Sequence, residues 1–348
     1  MLLWLIRHFR CVCLLYIYVG KFLNVSINLI LVYEDGIKLY PQSPAGRLLW
    51  VGEDVLKRMG AGKEEQKKKA DSLGRLILGK KGYRPDRLLG NGAFSRVYYV
   101  EGKDGRGYAC KVSENARLLE QEAQVMAVLE YTLFPKYFGF WREAGLGFLL
   151  CEYIPGCTME EMLARRERFT IEQTVRTGLE LTEGLKYLHE RPEHFLFRDV
   201  KPANIMIRQD GRVKLIDFGC VCSMKERISS RAGTPDFAAP EQLEGNGELT
   251  PACDVYGLGR TLEAMLGAGE NFRFREKTVL HLQCFSGKKH VLVPRHGSAE
   301  SMAGRKKRKQ IVRFLDACTR REAAERISDM EQVSLALGRF AAKRERLQ

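Results

Sequence analysis

The stretch FRDVKPANIMIRQDGRVKLIDFG, residues 197–219, places the tightest constraint on how this chain can fold. Two apolar runs, IMI and VKLI, flank Asp210-Gly211, and an Asp-Gly pair between such runs is a strong two-residue hairpin signal. With those residues as the turn, positions equidistant from it pair across the ladder, and Asn204 falls opposite Asp217 at the open end. An amide oxygen beside a carboxylate makes a hard, oxygen-only site. It suits Mg²⁺, which takes one or two protein ligands and completes its shell with phosphate and water. Asp199, five residues before Asn204, overlooks the same point and is a candidate to accept a proton or orient a nucleophile. Any one of these residues alone reads as an ordinary polar loop position, and it is their joint spacing that carries the expectation.

At 348 residues, 45% apolar and 29% charged, the chain is long enough for a large core or two lobes, and disorder throughout is excluded. Its ten cysteines are scattered, the closest being Cys11/Cys13 and Cys220/Cys222, with no C-x-x-C pair and no Cys/His cluster at zinc spacing. They read as reduced thiols of a cytosolic compartment, without a structural metal site. The formal net charge of +14 gathers in patches at residues 62–87 and 305–310 (RKKRKQ). Nucleic acid, anionic lipid or an acidic protein would be drawn to such patches. No aromatic interleaving or nucleic-acid motif accompanies them, so a solvated face is expected and no specific nucleic-acid partner.

Residues 11–33 are about as long as one membrane span, yet Lys21, Asn24, Ser26 and Asn28 are unfavourable in hydrocarbon. Arg7 and Arg10 would hold the N-terminus inside and send the remainder outside, while Lys38 and Arg47 pull the other way. No small-residue cleavage site follows a short apolar region. Two readings of residues 1–58 stand side by side: membrane attachment through 11–33, or a natural start at Met59. Residues 59–82 form a basic extension.

From residue 83 the chain becomes organised. LLGNGAFSRVYYV, 88–100, reads as strand, glycine turn, strand, where Gly90 and Gly92 let backbone N–H groups approach phosphate oxygens and Val97 can lie over an adenine. The next strand, GYACKV, ends with Lys111, a charge that needs a partner if it points inward. Glu122 supplies one, a turn before Val125 and Met126 on the apolar face of the helix that follows. Strand-like runs YFGFWRE and GFLLCEYI, separated by a turn at Gly145 and Gly147, lead to PGCT. Beyond it the pattern is helical, with Val175, Leu179, Thr182, Leu185 and Leu188 on one face.

A strand-rich lobe before a helix-rich lobe, joined to these motifs, resembles a eukaryotic-type (Hanks-type) serine/threonine protein kinase domain over about residues 83–335. The resemblance implies an α+β, bilobal fold: N-lobe and hinge at 83–154, C-lobe at 155–340 and a tail at 341–348. It implies ATP and Mg²⁺ as cofactors. GNGAFSRV resembles the glycine-rich loop, with Ser95 where a third Gly often stands, so Leu89, Gly90, Asn91, Gly92, Ala93, Val97 and Ala109 would surround ATP. Lys111 would hold the α- and β-phosphates and pair with Glu122. LLCEYIPG is similar to the hinge, making Cys151 the guard of the back pocket and Glu152, Tyr153 and Ile154 the segment whose backbone bonds adenine.

In FRDVKPAN the usual His is Phe197, an aromatic that can still pack in a hydrophobic spine. Asp199 would orient the substrate hydroxyl and accept its proton, Lys201 would neutralise the γ-phosphate, and Asn204 with Asp217 of DFG would hold Mg²⁺. GTPDFAAPEQ matches the end of the activation segment, with Thr234 in the substrate-facing loop and Glu241 expected to pair with Arg326. DVYGLGRTLEAML resembles a buried helix whose Asp254 ties down the catalytic loop. Arg198 suggests a cationic pocket for a phosphorylated activation segment; Ser229 and Ser230 are either its phosphosites or plain loop serines. Residues 268–310 lack the pattern of helix G, and the first 82 residues have no counterpart in the family.

The expected activity is transfer of the ATP γ-phosphate to Ser or Thr hydroxyls of proteins, the kinase itself included. Lysine in DVKPAN and the GTP before DFAAPE favour Ser/Thr over Tyr in this family. A scaffold of the same fold usually lacks one of Lys111, Glu122, Asp199, Asn204 and Asp217, all of which are present. A small-molecule phosphotransferase should lack GTPDFAAPE.

Overall fold

The structure is a computed structural model that describes residues 13–14, 27–33, 36–41, 49–51, 68–92, 95–167, 169–225, 232–245, 249–269 and 302–341. The chain divides into two compact units, 1–77 and 78–348. In the first, β1 (Cys13–Leu14), β2 (Ile27–Tyr33), β3 (Gly36–Pro41) and β4 (Leu49–Val51) pair antiparallel in chain order. The described parts of 11–33 are strands, and the rest of that stretch lies outside the described residues. No helix among the described residues is long and apolar enough to cross a membrane. Residues 68–81, within the basic extension, form helix α1.

The second unit opens with five antiparallel strands: β5 (Arg84–Asn91), β6 (Ser95–Glu101), β7 (Gly107–Ser113), β8 (Tyr137–Glu143) and β9 (Leu146–Glu152), in the order β5-β6-β7-β9-β8. The turn between β8 and β9 is Ala144-Gly145, and Gly147 belongs to β9 itself. Helix α2 (Ala116–Ala127) packs on β8 and β9. The Asn115 side chain caps it by accepting from Leu118 N–H, and Leu119, Glu122, Ala123 and Met126 form its buried side.

The helical part begins with β10 (Gly156–Thr158), α3 (Met159–Ala164) and α4 (Ile171–Glu190). Both helices start at capping boxes, Thr158 with Glu161 and Thr170 with Gln173, in which each pair satisfies two otherwise orphaned N–H groups. Leu181, Leu185 and Leu188 of α4 are fully buried, each contributing roughly 2 kcal/mol of apolar burial. The chain continues through β11 (Phe195–Leu196), β12 (Ile205–Arg208), β13 (Val213–Leu215), β14 (Cys222–Ser223), α5 (Pro240–Glu244), α6 (Ala252–Gly269), α7 (Met302–Cys318) and α8 (Met330–Ala341). Helix α4 lies against both α6 and α8. One continuous apolar cluster runs from Leu119 and Met126 on α2, through Leu149 of β9, to Leu262 and Leu337 in the helical lobe. The sheet, the helix on it and the helices beyond it make the bilobal α+β architecture that the resemblance implies.

The basic run 305–310 is helical, with Lys306 and Lys309 exposed and Lys307 paired to Glu172 at 2.8 Å. Residues 270–301 lie outside the described residues.

The β12–β13 hairpin corrects the sequence-based register. Ile205 pairs with Leu215 and Ile207 with Val213, so the loop holds three residues, Gln209, Asp210 and Gly211. Arg208 and Arg212 close it, the Arg208 N–H donating to Arg212 O at 2.9 Å. Gly211 has φ +75°, and a three-residue loop ending in a left-handed glycine uses the same Asp-Gly letters as a two-residue one. The extra residue shifts the ladder by one: Asn204 faces Ile216, whose N–H donates to Asn204 O at 2.8 Å, and not Asp217.

Candidate active site

Side chains alternate across a strand, so the pairs Gly90/Val97, Val97/Lys111 and Lys111/Leu149 place these residues in one row on one face of the sheet. Tyr99, Ala109 and Cys151 form the next row on that face. Cys151 donates to Ala109 O at 3.6 Å, and burial pushes its thiol up to about 12, so it stands neutral at the hinge. Gly92 N–H, expected to approach phosphate, donates to Ser95 O at 2.8 Å. Ala93 lies outside the described residues.

Lys111 meets both oxygens of Glu122, at 2.7 and 3.0 Å, and Asp217 Oδ1 at 2.8 Å. Burial alone would lower the lysine's pKa, but its two carboxylate neighbours outweigh burial and raise it. Glu122 moves upward because burial, reinforced by the charge of Asp217, exceeds the pull of Lys111. Asp217 ends below the usual carboxylate range: burial opposes ionisation, and Lys111 with Gly219 N–H overcomes it. Glu122 also accepts from Phe218 N–H at 3.3 Å, joining helix α2 to the segment after β13.

On the other side of the cleft, Asp199 is engaged by four donors. Asn204 Nδ2 (2.9 Å) and Lys201 Nζ (2.8 Å) reach Oδ2, while the Thr234 N–H (3.1 Å) and hydroxyl (3.0 Å) reach Oδ1. Lys201 also donates to Thr234 Oγ1 at 2.7 Å. Among the described residues, no donor engages Asn204 Oδ1 or the second oxygen of Asp217. Two hard oxygens are thereby left for a divalent cation that completes its shell with phosphate and water.

The loop carrying Asp199 is fixed from below. Asp254 on α6, wholly buried, accepts from Phe197 N–H at 2.8 Å and Arg198 N–H at 2.7 Å. Arg198 and Asp217 have φ +66° and +68°, left-handed values that cost of order 1 kcal/mol each and persist where neighbours hold them. Gln242 donates to Arg198 O at 2.8 Å, and His189 meets Asp254 at 2.8 Å. Neither was singled out from the sequence, although His189 falls on the apolar face of α4, one residue beyond Leu188, where a polar side chain needs a partner. Arg326 is buried against Glu241 at 2.7 and 3.2 Å and donates to the carbonyls of Ala252, Arg320 and Arg321. Phe197 packs edge-on against Phe218, with ring centroids 5.6 Å apart, and Phe218 likewise against Phe134 at 5.3 Å.

Arg198 Nε donates to Cys220 O at 2.6 Å, and its buried Nη1 has no partner among the described residues. Ser229 and Ser230 lie outside them. Glu152, at the end of β9, accepts from the Nζ of buried Lys214 on β13 at 2.9 Å, a part-buried pair that the sequence reading missed.

A two-lobed fold with a lysine bridging two carboxylates on one side of a cleft, and an Asp-Lys-Asn-Thr cluster on the other, defines a phosphotransferase of the protein kinase class. The chain belongs to the protein kinase domain family, which matches residues 83–336. It is 27% identical over 217 residues to the human cAMP-dependent protein kinase catalytic subunit PRKX, covering 60% of this chain and 59% of that one. It is 34% identical over 203 residues to mouse mitogen-activated protein kinase kinase kinase 3, covering 53% of this chain and 32% of the relative. Over 191 residues it is 31% identical to Aurora kinase of Schizosaccharomyces pombe, covering 52% and 53%. The chain thus spans between about a third and three fifths of the length of these relatives. Membership of this family implies ATP as the phosphoryl donor and, in general, a divalent metal beside it.

Proposed function

We propose that the chain transfers the γ-phosphate of ATP, with Mg²⁺, to Ser and Thr hydroxyls of protein substrates and of its own activation segment. The observation that carries this is the arrangement around Asp199. Its four lone-pair positions are filled, so an incoming hydroxyl must displace one donor, and the Thr234 hydroxyl is the group a Ser or Thr side chain can replace like for like. Asp199 would then orient that hydroxyl and take its proton as the phosphoryl group moves. Lys201, already beside Asp199, would meet the charge on the transferred group. Lys111, held by Glu122, would meet the α- and β-phosphates.

Asn204 and Asp217 would hold Mg²⁺, which neutralises charge on the phosphate oxygens. Adenine would lie on the face shared by Val97, Ala109 and Cys151, beneath Leu89 to Ala93, and bond the backbone of Glu152 to Ile154. Ser229 and Ser230 would bring phosphate to Arg198, whose buried Nη1 supports such a pairing. Cys110, Cys151, Cys157, Cys220, Cys222, Cys253 and Cys318 are free thiols, which supports a reducing, cytosolic setting.

The test is incubation of the full chain with Mg²⁺ and labelled ATP, beside Asp217→Ala, with phosphosites mapped by mass spectrometry. Label on Ser or Thr that falls at least about a hundredfold in the variant is the expected result. Tight nucleotide binding without transfer by the parent chain would replace the enzyme with a nucleotide-binding scaffold.

A further inference from the structure

Strand β5 leaves regular pairing twice on its way to Gly90. Pro85 pairs with Val100 and Leu88 with Tyr98, so Asp86 and Arg87 together oppose the single residue Tyr99; Leu89 is the second extra residue, between Leu88 and Gly90. A bulge bends its strand and re-aims a side chain, and this one turns Arg87 onto two rings. The guanidinium lies 4.4 Å from the centroid of Tyr99 and 5.5 Å from that of Tyr153. Its Nη2 donates to the Tyr153 hydroxyl at 2.8 Å, and its Nη1 to Asp86 Oδ2 at 3.3 Å. The two tyrosines meet edge-on with centroids 4.7 Å apart.

The position of the cluster gives it meaning. Tyr99 shares the sheet face of Val97, Ala109 and Lys111, one strand repeat along, while Tyr153 belongs to the hinge. The strand entering the glycine turn and the segment that would bond adenine are therefore fastened to each other by side chains that touch neither the catalytic aspartate nor the lysine pair.

We infer that Arg87 is a positioning residue for the nucleotide: with Tyr99 and Tyr153 it latches the roof of the slot to the hinge and sets their separation before ATP arrives. The inference rests on the nucleotide reading of this site. A slot already at its bound width loses less freedom on binding, so the latch acts on affinity and leaves the chemical step alone. One cation–π contact and one hydrogen bond at an exposed position are individually small, so the effect is modest.

The experiment uses the full chain, with the Kd for Mg·ATP from titration calorimetry and steady-state kinetics on a generic acceptor protein. Arg87→Ala should raise Kd and the KM for ATP about fivefold, with kcat and the acceptor KM unchanged. Arg87→Lys keeps a charge over the rings but not the planar reach to the hydroxyl, and should fall between parent and alanine variant. Tyr153→Phe should weaken binding in the same direction, and adding it to Arg87→Ala should cost little more, because both remove one contact. Unchanged nucleotide affinity in Arg87→Ala would overturn the latch. So would a fall in kcat and in the melting temperature of the nucleotide-free chain with both KM values unchanged, the pattern of a merely structural residue. No binding of Mg·ATP by the parent would overturn the nucleotide site itself, and the latch with it.

Discussion

At the scale of single residues, charge compensation decides what the site can be. Lys111 sits among two carboxylates and its pKa lies above the ordinary 10.5. A raised value means that the folded state holds the proton more tightly than the unfolded chain. The stabilisation is therefore complete below 10.5 and is withdrawn as pH climbs through the folded value. The gap in melting temperature between the parent and Lys111→Met should accordingly narrow above pH 10.5; a constant gap would mean that packing, not charge, is what the lysine contributes. Arg326 makes a second test. Its side chain is fully buried, so Glu241→Ala strands a cation, and a loss of about 3 kcal/mol is expected in chemical denaturation. Lys111 and Glu122 were legible in the sequence because a charge inside an apolar pattern demands a partner, whereas Glu241 and Arg326 came from the family resemblance alone. Thr234 was legible as a loop position only, since nothing in its neighbours' letters places its hydroxyl on Asp199. Lys214 escaped for a related reason: in VKLI it alternates as a solvent-facing strand residue would, and only the fold brings Glu152 to it.

At the scale of elements, periodicity located the strands and helices, and turn chemistry proved harder to read. The β12–β13 hairpin was expected with a two-residue turn, yet the loop has three residues, because both geometries favour Asp-Gly and only the backbone angle at Gly211 distinguishes them. That angle can be tested: at φ +75°, and with Arg176 Nη2 2.9 Å from where a Cβ would sit, Gly211→Ala should cost about 1 kcal/mol of stability. The capping box of α4 offers a comparison of similar size. Thr170→Ala removes the acceptor for Gln173 N–H and should destabilise by about 1 kcal/mol, read as a lower denaturation midpoint with an unchanged slope. Strand β5 was read correctly as strand and turn, but its bulges depend on which residues of β6 lie opposite, and a single strand's letters do not carry that.

At the scale of the whole molecule, the apolar cluster that unites α2, β9 and the helical lobe predicts how residues 78–348 come apart. Trp141 is stacked on Phe148 within the sheet, so its fluorescence reports the strand-rich lobe, while far-UV dichroism is dominated by the helices. In a chain with Trp4 and Trp50 replaced by Phe, thermal curves from the two probes should coincide; separate midpoints would mean that the shared cluster does not couple the lobes. The division into lobes and the order of their motifs were visible in the sequence, because each motif carries its own local pattern. The continuity of the core was not, since it is made of residues from helices and strands far apart in the chain. One member of that core has a wider consequence. Phe197 stands where the family resemblance implies a histidine, and it meets Phe218 ring to ring. An imidazole at this joint would gain or lose a proton within the ordinary range of cellular acidity, whereas two phenyl rings have none to exchange. That ring contact therefore carries no proton of its own, and it should answer to temperature and pressure, the variables that govern apolar contact.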